Sequence, residues 1–244
     1  MNNVKKSIGW ADFTINPVKC LCPVDCKDNQ GKPYCYARRL YKRFGWNPEI
    51  RFVPEVLNEV LSIPNQSRVF VGSTIELFGD WIKPEWMFEI FDMVKSEPWH
   101  TFIFLTKQPQ NLVKWSPFPR NCWIGATVTD GDSYRWAMAF LPQISARVKF
   151  LSIEPLLSQF QLRDWEYQRP LNAILDWVII GAQTPYSLKT APKIEWVEEI
   201  VRACDRARIP IFIKDNLAPA LEVREPFIEV GKGHKRYPRQ EFPS

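Results

Sequence analysis

The sequence predicts an α/β protein of one domain, built either as a doubly wound sheet or as a full or partial βα barrel. Two observations lead to this fold class: short apolar runs alternate with helical patterns, and polar residues follow nearly every apolar run. Strands that alternate with helices are typical of βα units on a parallel sheet. The carboxyl ends of such strands form the rim at which α/β folds bind their ligands. We therefore expect the functional residues at that rim.

About seven runs of the chain are predicted as strands. They lie within "SIGWADFTI", "RVFVGSTIE", "TFIFLTK", "CWIGATVT", "RVKFLSIEP", "DWVIIGAQ" and "IPIFIKD". Between them are helical patterns such as "KPEWMFEIFDMVKSE", in which Pro84 suits the first turn of a helix. Because no linker interrupts the pattern, we expect one domain over residues 1–230, followed by a basic, poorly packed tail over residues 231–244.

Composition excludes several classes of protein. With 244 residues, 45% hydrophobic and 14% aromatic, the chain is long enough and apolar enough to bury a core. No apolar run approaches the roughly 20 residues that cross a bilayer, and "MNNVKKSIGWADF" lacks the apolar stretch of a signal peptide. We expect a cytoplasmic protein with no membrane partner. The net charge of +5 weakly favours anionic partners.

Four cysteines, at positions 20, 22, 26 and 35, lie in one short loop that follows the first predicted strand. In a reducing compartment, clustered cysteines bind metal or act in catalysis more often than they form disulfides. All four could hold structural zinc, although Cys20 and Cys22 are closer in sequence than is usual for a zinc pair. Three of them could instead hold a [4Fe–4S] cluster with one open iron. The residues alone leave both metals open.

The cysteine loop also resembles a known signature. Cys22-x3-Cys26 followed by "CYARR" from Cys35 is similar to the radical SAM motif, three cysteines after the first strand with an aromatic residue, here Tyr36, beside the last. The blocks "TINPV", "CYARRLYKRF", "LFGDW", "FLTKQP", "FLSIEPLL" and "IPIFIKDNL" resemble a phage-and-prokaryote family known for its three-cysteine motif, over roughly residues 8–217. More distantly, the chain is similar to the spore photoproduct lyase group, which works on DNA. The gap between the second and third cysteines departs from the usual two residues, because "KDNQGKPY" makes it eight.

The resemblance implies a radical SAM enzyme whose single domain is a full or partial βα barrel of the TIM type, with the cysteine loop at the carboxyl-end rim. Cys22, Cys26 and Cys35 would hold a [4Fe–4S] cluster whose open iron chelates S-adenosylmethionine. An electron from a one-electron reductant would cleave that cofactor to methionine and a 5′-deoxyadenosyl radical, which would modify or repair a substrate. The motif leaves open whether Cys20 replaces Cys22 as a ligand.

The same resemblance implies roles for polar residues at the rim. Tyr36 would lie beside the cofactor, Ser73, Thr74 and Glu76 would hold its methionine ammonium group, and a further set would hold the ribose or substrate. That set consists of Thr106, Lys107, Thr127, Thr129, Glu154, Lys214 and Asp215. Threonine is also common in strands, and the charged residues could simply form a buried ion pair.

The substrate is the least determined part of the prediction. Basic residues at 38, 39, 42 and 43, and a tail in which Lys232, Lys235, Arg236 and Arg239 surround Tyr237, suit a nucleic acid. Two alternatives remain. One is a zinc-stabilised, non-catalytic module that binds nucleic acid or adapts to a protein partner. The other is a radical enzyme that acts on a small metabolite.

Overall fold

The computed structural model describes residues 1–5, 8–28, 30–163, 170–221 and 239–243. These residues form two compact units. The first consists of Met1–Ala126 and Phe140–Arg147, and the second of the described parts of Thr127–Ala139 and Val148–Ser244.

The first unit is built on a mostly parallel sheet. Its strands are β1 (Asn2–Asn3), β2 (Phe13–Ile15), β5 (Arg68–Val71), β6 (Thr101–Thr106) and β7 (Cys122–Thr127), in that spatial order. Strand β1 pairs antiparallel with β2, and the pairs β2–β5, β5–β6 and β6–β7 are parallel. A separate antiparallel pair joins β3 (Val18–Lys19) to β4 (Arg51–Phe52). Every residue of β7 is buried, as expected of a parallel strand that is covered on both faces.

Helices and 3₁₀ segments surround the sheet of the first unit. They are α1 (Tyr36–Phe44), α2 (Pro84–Ser96) and 3₁₀ segments at Pro54–Ser62, Pro109–Trp115 and Leu141–Gln143. Helix α2 begins at Pro84, as the sequence predicts, and buries Met87, Ile90, Phe91 and Val94. This i, i+3, i+4, i+7 spacing places one apolar stripe against the core.

The second unit repeats the same construction with three strands. These are β8 (Val148–Ile153), β9 (Trp177–Ile180) and β10 (Ile211–Ile213), and both pairs, β8–β9 and β9–β10, are parallel. The helices are α3 (Gly131–Phe140), α4 (Ile194–Ala207) and α5 (Ala218–Leu221), with 3₁₀ segments at Leu171–Ala173 and Asp215–Leu217. Helix α4 buries Val197, Ile200, Val201 and Cys204, the same stripe spacing as in α2.

The end of the chain differs from the poorly packed tail that the sequence predicts. Residues 239–243 run along β10, where Phe212 and Gln240 form an antiparallel bridge. Phe242 lies against Trp177 and Phe212, with ring centroids 5.5 and 5.4 Å away. An aromatic residue near the terminus therefore completes the core. The tail residues Lys232, Lys235, Arg236 and Tyr237 lie outside the described residues.

The mixed α/β class and the mostly parallel pairing are confirmed, while the barrel stays a prediction. Over the described ranges, no helix combines the length and apolar character needed to span a bilayer.

Candidate metal and cofactor site

The cysteine loop is closed by a small hairpin. Lys27 and Pro33 form an antiparallel bridge, and the N–H of Tyr34 donates a 3.1 Å hydrogen bond to the carbonyl oxygen of Cys26. Asp28 Oδ1 accepts hydrogen bonds from the N–H groups of Gln30 and Lys32, both 2.9 Å long. The insertion "KDNQGKPY" is therefore folded outward. Its two ends meet, and this brings together Cys26 and Cys35, which flank it. Asn29 lies outside the described residues.

Gly31 makes the hairpin turn possible. Its φ is +76°, a left-handed conformation that costs residues with a Cβ atom, and its N–H donates a 2.9 Å hydrogen bond to the Asp28 carbonyl oxygen. A Cβ atom built at this position would meet nothing within 4 Å, so the requirement for glycine is conformational and not steric.

The thiols of Cys26 and Cys35 interact directly. A hydrogen bond from the Cys26 thiol to the Cys35 sulfur raises the pKa of Cys26 and lowers that of Cys35 to about 6. The backbone N–H groups of Ala37 and Arg38, in the first turn of α1, also lower the pKa of Cys35, as a helix N-terminus does for a thiolate. The positive charge of Lys107 lowers the pKa of both thiols. The pair thus favours a thiolate at Cys35.

Cys22 is the third member of the thiol group. It is buried, and this burial raises the pKa of its thiol, while the backbone N–H groups of Glu76 and Val24 partly offset the effect. Its charge interacts with those of both Cys26 and Cys35. The three cysteines of the predicted motif therefore lie together, and all of them are free thiols.

Cys20 has different surroundings from the other three. It is fully buried, and this burial raises the pKa of its thiol to about 11. The groups that act on it are Cys22 and the cation of Arg51, and its backbone N–H is directed to the phenol of Tyr41. The assignment of Cys22, and not Cys20, as the first ligand stays a prediction.

Arg38 fastens the first half of the loop to α1. Its guanidinium donates hydrogen bonds to the carbonyl oxygens of Cys22 and Val24, 2.8 and 3.3 Å long. Arg38 was predicted to belong to a basic face that binds phosphate. Both bonds come from one nitrogen of the guanidinium, and contact of Arg38 with phosphate stays a prediction.

The candidate donor set consists of three thiols, the ligand type that holds iron–sulfur clusters. Among the described residues, no three His, Cys, Asp or Glu side chains converge on one point as ligands of a lone metal ion do. Thiolates that bind different irons of a cluster need only be near one another. Cys22, Cys26 and Cys35 meet that requirement, and the Lys107 cation beside them offsets the negative charge of thiolate ligands.

A network around Asn16 supports the neighbouring turn. Asn16 follows β2, and its Oδ1 accepts hydrogen bonds from the N–H and Oγ1–H of Thr74, 3.1 and 3.0 Å long, while its Nδ2 lies 3.2 Å from Ser73 Oγ. The phenol of Tyr36 donates a hydrogen bond to the Ser73 carbonyl oxygen. Tyr36, Ser73 and Thr74 are thus brought together as predicted, but the amide that holds them was missed. Its position directly after a predicted strand was the available signal.

Gly72 is required by the same turn. Its φ is +80°, and a Cβ atom at this position would lie 2.4 Å from Leu77 Cδ1. The N–H of Gly72 donates to the Ile15 carbonyl oxygen, which continues the β2–β5 ladder, and its own carbonyl oxygen accepts from Ile75. The turn therefore leaves the sheet abruptly and returns Glu76 towards Cys22.

Glu76 is buried inside the first unit and is hydrogen-bonded by the chain itself. Its Oε1 accepts from the Thr106 hydroxyl (2.7 Å) and the Phe78 N–H (3.0 Å), and its Oε2 accepts from the Lys107 N–H (2.6 Å). Burial raises the pKa of this carboxyl, although the three donors oppose the shift. The contacts make Glu76 and Thr106 the tie between the ends of β5 and β6. The binding of cofactor by Glu76, Thr106 and Lys107 stays a prediction.

The second unit holds the other predicted rim residues. Thr127 ends β7. The Thr129 hydroxyl donates a 3.1 Å hydrogen bond to Asp130 Oδ2. Asp130 Oδ1 accepts a 2.8 Å hydrogen bond from the Ser133 N–H and so caps the start of α3. Thr129 is therefore part of a helix cap. Asp215 accepts a hydrogen bond from the Gln240 amide at 2.8 Å.

Glu154 and Lys214 form an ion pair with each other. They follow β8 and β10, and their side chains meet over Gly181, which follows β9. A Cβ atom on Gly181 would lie 3.0 Å from Glu154 Cγ and 3.1 Å from Lys214 Cδ. Of the two readings that the sequence left for these charges, substrate contact or a buried pair, the pair is present.

The fold and the thiol group together define a mostly parallel α/β protein with a three-cysteine loop after its first parallel strand. The family model described as "Protein of unknown function (DUF5131)" matches residues 5–221, and the chain belongs to this family. No curated protein matches the sequence. The matched range includes the cysteine loop and both sets of rim residues.

Two solved structures share the fold. Spore photoproduct lyase complexed with dinucleoside spore photoproduct has a TM-score of 0.56 and 11% identity, over 87% of this chain and 78% of its own. A double mutant of spore photoproduct lyase, with bound AdoMet and dinucleoside spore photoproduct, has a TM-score of 0.50 and 12% identity, over 84% of this chain and 62% of its own. At such low identity, the likeness establishes the fold alone.

Proposed function

We propose that this protein is a radical SAM enzyme: a [4Fe–4S] cluster held by Cys22, Cys26 and Cys35 cleaves S-adenosylmethionine reductively. The observation that carries the proposal is the meeting of these three thiols in one loop despite the eight-residue insertion between the second and third. The cluster, when bound, supplies the electron that breaks a sulfonium–carbon bond. A full or partial barrel, as in the sequence prediction, is the architecture that we propose for the whole chain.

The chain's own residues have three tasks in this proposal. The hairpin and Arg38 fix the backbone of the ligand loop, so the sulfurs are held in place before the cluster binds. Burial of Cys22 and Cys26 keeps water from the ligands. The Lys107 ammonium group balances thiolate charge, and the turn at Ser73 and Thr74 presents polar groups beside Tyr36 for the cofactor's amino and carboxylate groups.

The comparisons support the proposal at the level of fold. A structure of similar fold, that of spore photoproduct lyase, is recorded with bound AdoMet. We transfer the cofactor class from that neighbour to this chain as part of the proposal, and the substrate is not transferred with it.

The test is anaerobic reconstitution with iron and sulfide. We expect about four irons and four sulfides per chain, broad visible absorption, and release of 5′-deoxyadenosine and methionine when dithionite and S-adenosylmethionine are added. Cys26→Ala should abolish all three signals. Cys204→Ala is the matched control, since Cys204 is a buried free thiol in α4 of the second unit. Protein that binds iron but does not cleave S-adenosylmethionine would contradict the proposed enzyme activity and would leave the proposed cluster standing.

A structural zinc site is the second candidate. It is favoured by the burial of Cys20 directly beside Cys22, which brings a fourth thiol near the group. Colourless protein that contains one tightly held zinc per chain, and that loses it on Cys20→Ser, would replace the iron–sulfur proposal with this one.

A further inference from the structure

An aromatic and basic surface lies at the far end of α1, and nothing in the proposed cofactor chemistry uses it. Phe44 and Trp46 are 54% and 45% exposed, although both are large apolar residues. Their rings are stacked, with centroids 5.4 Å apart and planes inclined by 20°. Single exposed apolar residues are common, but a stacked and exposed pair is an organised apolar patch.

The local sequence explains how the pair forms. Helix α1 ends at Gly45, whose φ of +60° reverses the chain, and the N–H of Trp46 then donates to the Tyr41 carbonyl oxygen at 3.2 Å. The Trp46 ring is held on its other side by the buried ring of Tyr41, at 5.2 Å and 85°. The aromatic pair is therefore fixed before any ligand arrives, which lowers the entropic cost of binding.

Positive charge surrounds the pair. The sequence of α1, "YARRLYKRF", has four cations and no acidic residue. The Arg43 guanidinium lies over the Phe44 ring, 5.3 Å from its centroid. Lys42 is exposed in the same last turn, and within the described residues neither Lys42 nor Arg43 makes an ion pair. Cations without acidic partners beside a flat aromatic platform are the combination that binds single-stranded nucleic acid.

We propose that Lys42, Arg43, Phe44 and Trp46, the Phe44–Trp46 surface, bind single-stranded DNA or RNA. An unpaired base stacks on the Phe44 ring in the place that the Arg43 guanidinium now takes, and Lys42 and the displaced Arg43 contact the phosphates on either side. A base has a flat π face that suits the platform, whereas an acidic protein would use the cations and leave the rings unused.

The position of the surface relates it to the thiol group. Helix α1 begins directly after Cys35, and its nine residues rise by about 13.5 Å, which is about four nucleotides at the stacked spacing of 3.4 Å. A single-stranded nucleic acid held at Phe44 can therefore bring a nucleotide about four positions away to the cofactor site. This last step rests on the proposed function, but the binding itself does not.

Binding is tested by fluorescence anisotropy of a labelled, mixed-sequence single-stranded oligonucleotide, with the full chain and without S-adenosylmethionine. Phe44→Ala should weaken binding about 5- to 140-fold, the factor expected for loss of one stacked base. Phe88→Ala is the matched control, because Phe88 is 58% exposed on α2 and should leave the affinity unchanged. Circular dichroism checks that both variants keep the fold.

The charge contribution has its own matched pair. Lys42→Glu should reduce the slope of log affinity against log salt by about 0.7 or more, since at least one phosphate contact is lost. Lys95→Glu makes the same change of charge in the last turn of α2 and should leave the slope unchanged. Wild-type protein that fails to bind at low salt, or Phe44→Ala protein that binds as tightly as wild type, overturns the proposal.

Cofactor cleavage is measured separately on the same preparations. Oligonucleotide binding without cleavage leaves this surface standing and removes the radical SAM proposal. Cleavage without binding does the reverse and favours a small metabolite as the substrate.

Discussion

The N–H of Tyr34 donates a 3.1 Å hydrogen bond to the carbonyl oxygen of Cys26, and this contact brings the third cysteine of the motif close to the second. Eight residues separate the second and third cysteines, where the radical SAM motif has two. The hydrogen bond joins the two ends of the insertion, so the sulfur of Cys35 reaches that of Cys26. Local folding of the insertion therefore brings the second and third cysteines together despite their longer spacing in sequence.

The first prediction separates ligands from their neighbour. Cys22→Ser and Cys35→Ser should each lose most of the iron after anaerobic reconstitution, because each removes one of the three thiolates. Cys20→Ser should keep it, since Cys20 lies outside the three cysteines proposed as ligands. Iron content per chain, measured after desalting, distinguishes the variants. Loss of iron in Cys20→Ser together with retention in Cys22→Ser would reverse the assignment.

The second prediction concerns the hairpin. Gly31→Ala forces a residue with a Cβ atom into a φ of +76° and should destabilise the hairpin by about 1 kcal/mol. We expect reconstituted protein to release iron faster to a chelator. Gly45→Ala is the matched control, since Gly45 also has a positive φ, of +60°, and open space around it, but ends α1 instead of closing the ligand loop. Equal rates of iron release in both variants would show that the hairpin does not hold the ligands.

The third prediction concerns the buried carboxylate. Glu76→Gln replaces one acceptor oxygen with an amide donor, although three donors point at this side chain. The free energy of unfolding should fall by about 2–3 kcal/mol, as it does when a buried group is left without a partner. Thr106→Val removes only one of the donors and should cost about 1 kcal/mol. Urea unfolding measures both. A larger loss for Thr106→Val than for Glu76→Gln would contradict the role given to Glu76.

The fourth prediction is a pH dependence. Asp12 accepts three hydrogen bonds from Arg68, of 2.9, 3.2 and 3.1 Å. Burial raises the pKa of Asp12, but the bonds from Arg68 outweigh it, so the pKa lies below its ordinary 3.8. The folded state thus binds fewer protons than the unfolded state. The stabilisation is fully present above the unfolded pKa and is lost as the pH falls through the lower folded pKa.

Asp12→Asn should therefore destabilise the protein by about 1 kcal/mol at pH 7, with a smaller difference from wild type below about pH 4. Unfolding in urea at pH 7, 5 and 3 measures the difference. The side chains of Asp12 and Arg68 are about one-fifth exposed, so added salt should reduce the effect only slightly. A difference that is constant across the three pH values would contradict the assignment.

The sequence allowed the strands and their rim to be predicted, because periodicity and strand ends are local properties. The apolar run "CWIGAT" forms the fully buried β7, and Ser73 and Thr74 lie at the end of β5 as expected. The hairpin was not predictable in detail, since it depends on one bridge between Lys27 and Pro33. The pairing of Glu154 with Lys214 joins residues 60 positions apart, and only the register of β8, β9 and β10 brings them together.

Asn16 shows a different limit. An asparagine before a proline is typical of a turn, so its position after a predicted strand placed Asn16 at the rim without showing that its side chain binds Ser73 and Thr74. The tail shows a third limit. Its basic residues suggested a solvated end, and the aromatic residue that packs into the core is a single Phe242 near the terminus.

The fifth prediction follows from that packing. Arg239 was expected to contact phosphate, but its guanidinium is paired with Asp205 (2.7 Å) and Glu241 (2.8 Å), and these pairs raise its pKa. Trp177 Nε1 also donates a 2.8 Å hydrogen bond to the Glu241 carbonyl oxygen. Phe242→Ala should therefore lower the free energy of unfolding by about 2 kcal/mol, because its ring leaves apolar contacts with Trp177 and Phe212.

Arg239→Ala should likewise destabilise the fold while leaving the salt dependence of oligonucleotide binding unchanged, since its charge is already used by two carboxylates. Urea unfolding and the anisotropy titration are run on the same protein samples. Trp136→Ala, which removes a half-exposed aromatic residue on α3, controls for the loss of an aromatic ring alone. A weaker salt dependence in Arg239→Ala, with unfolding unchanged, would return Arg239 to the phosphate-binding role.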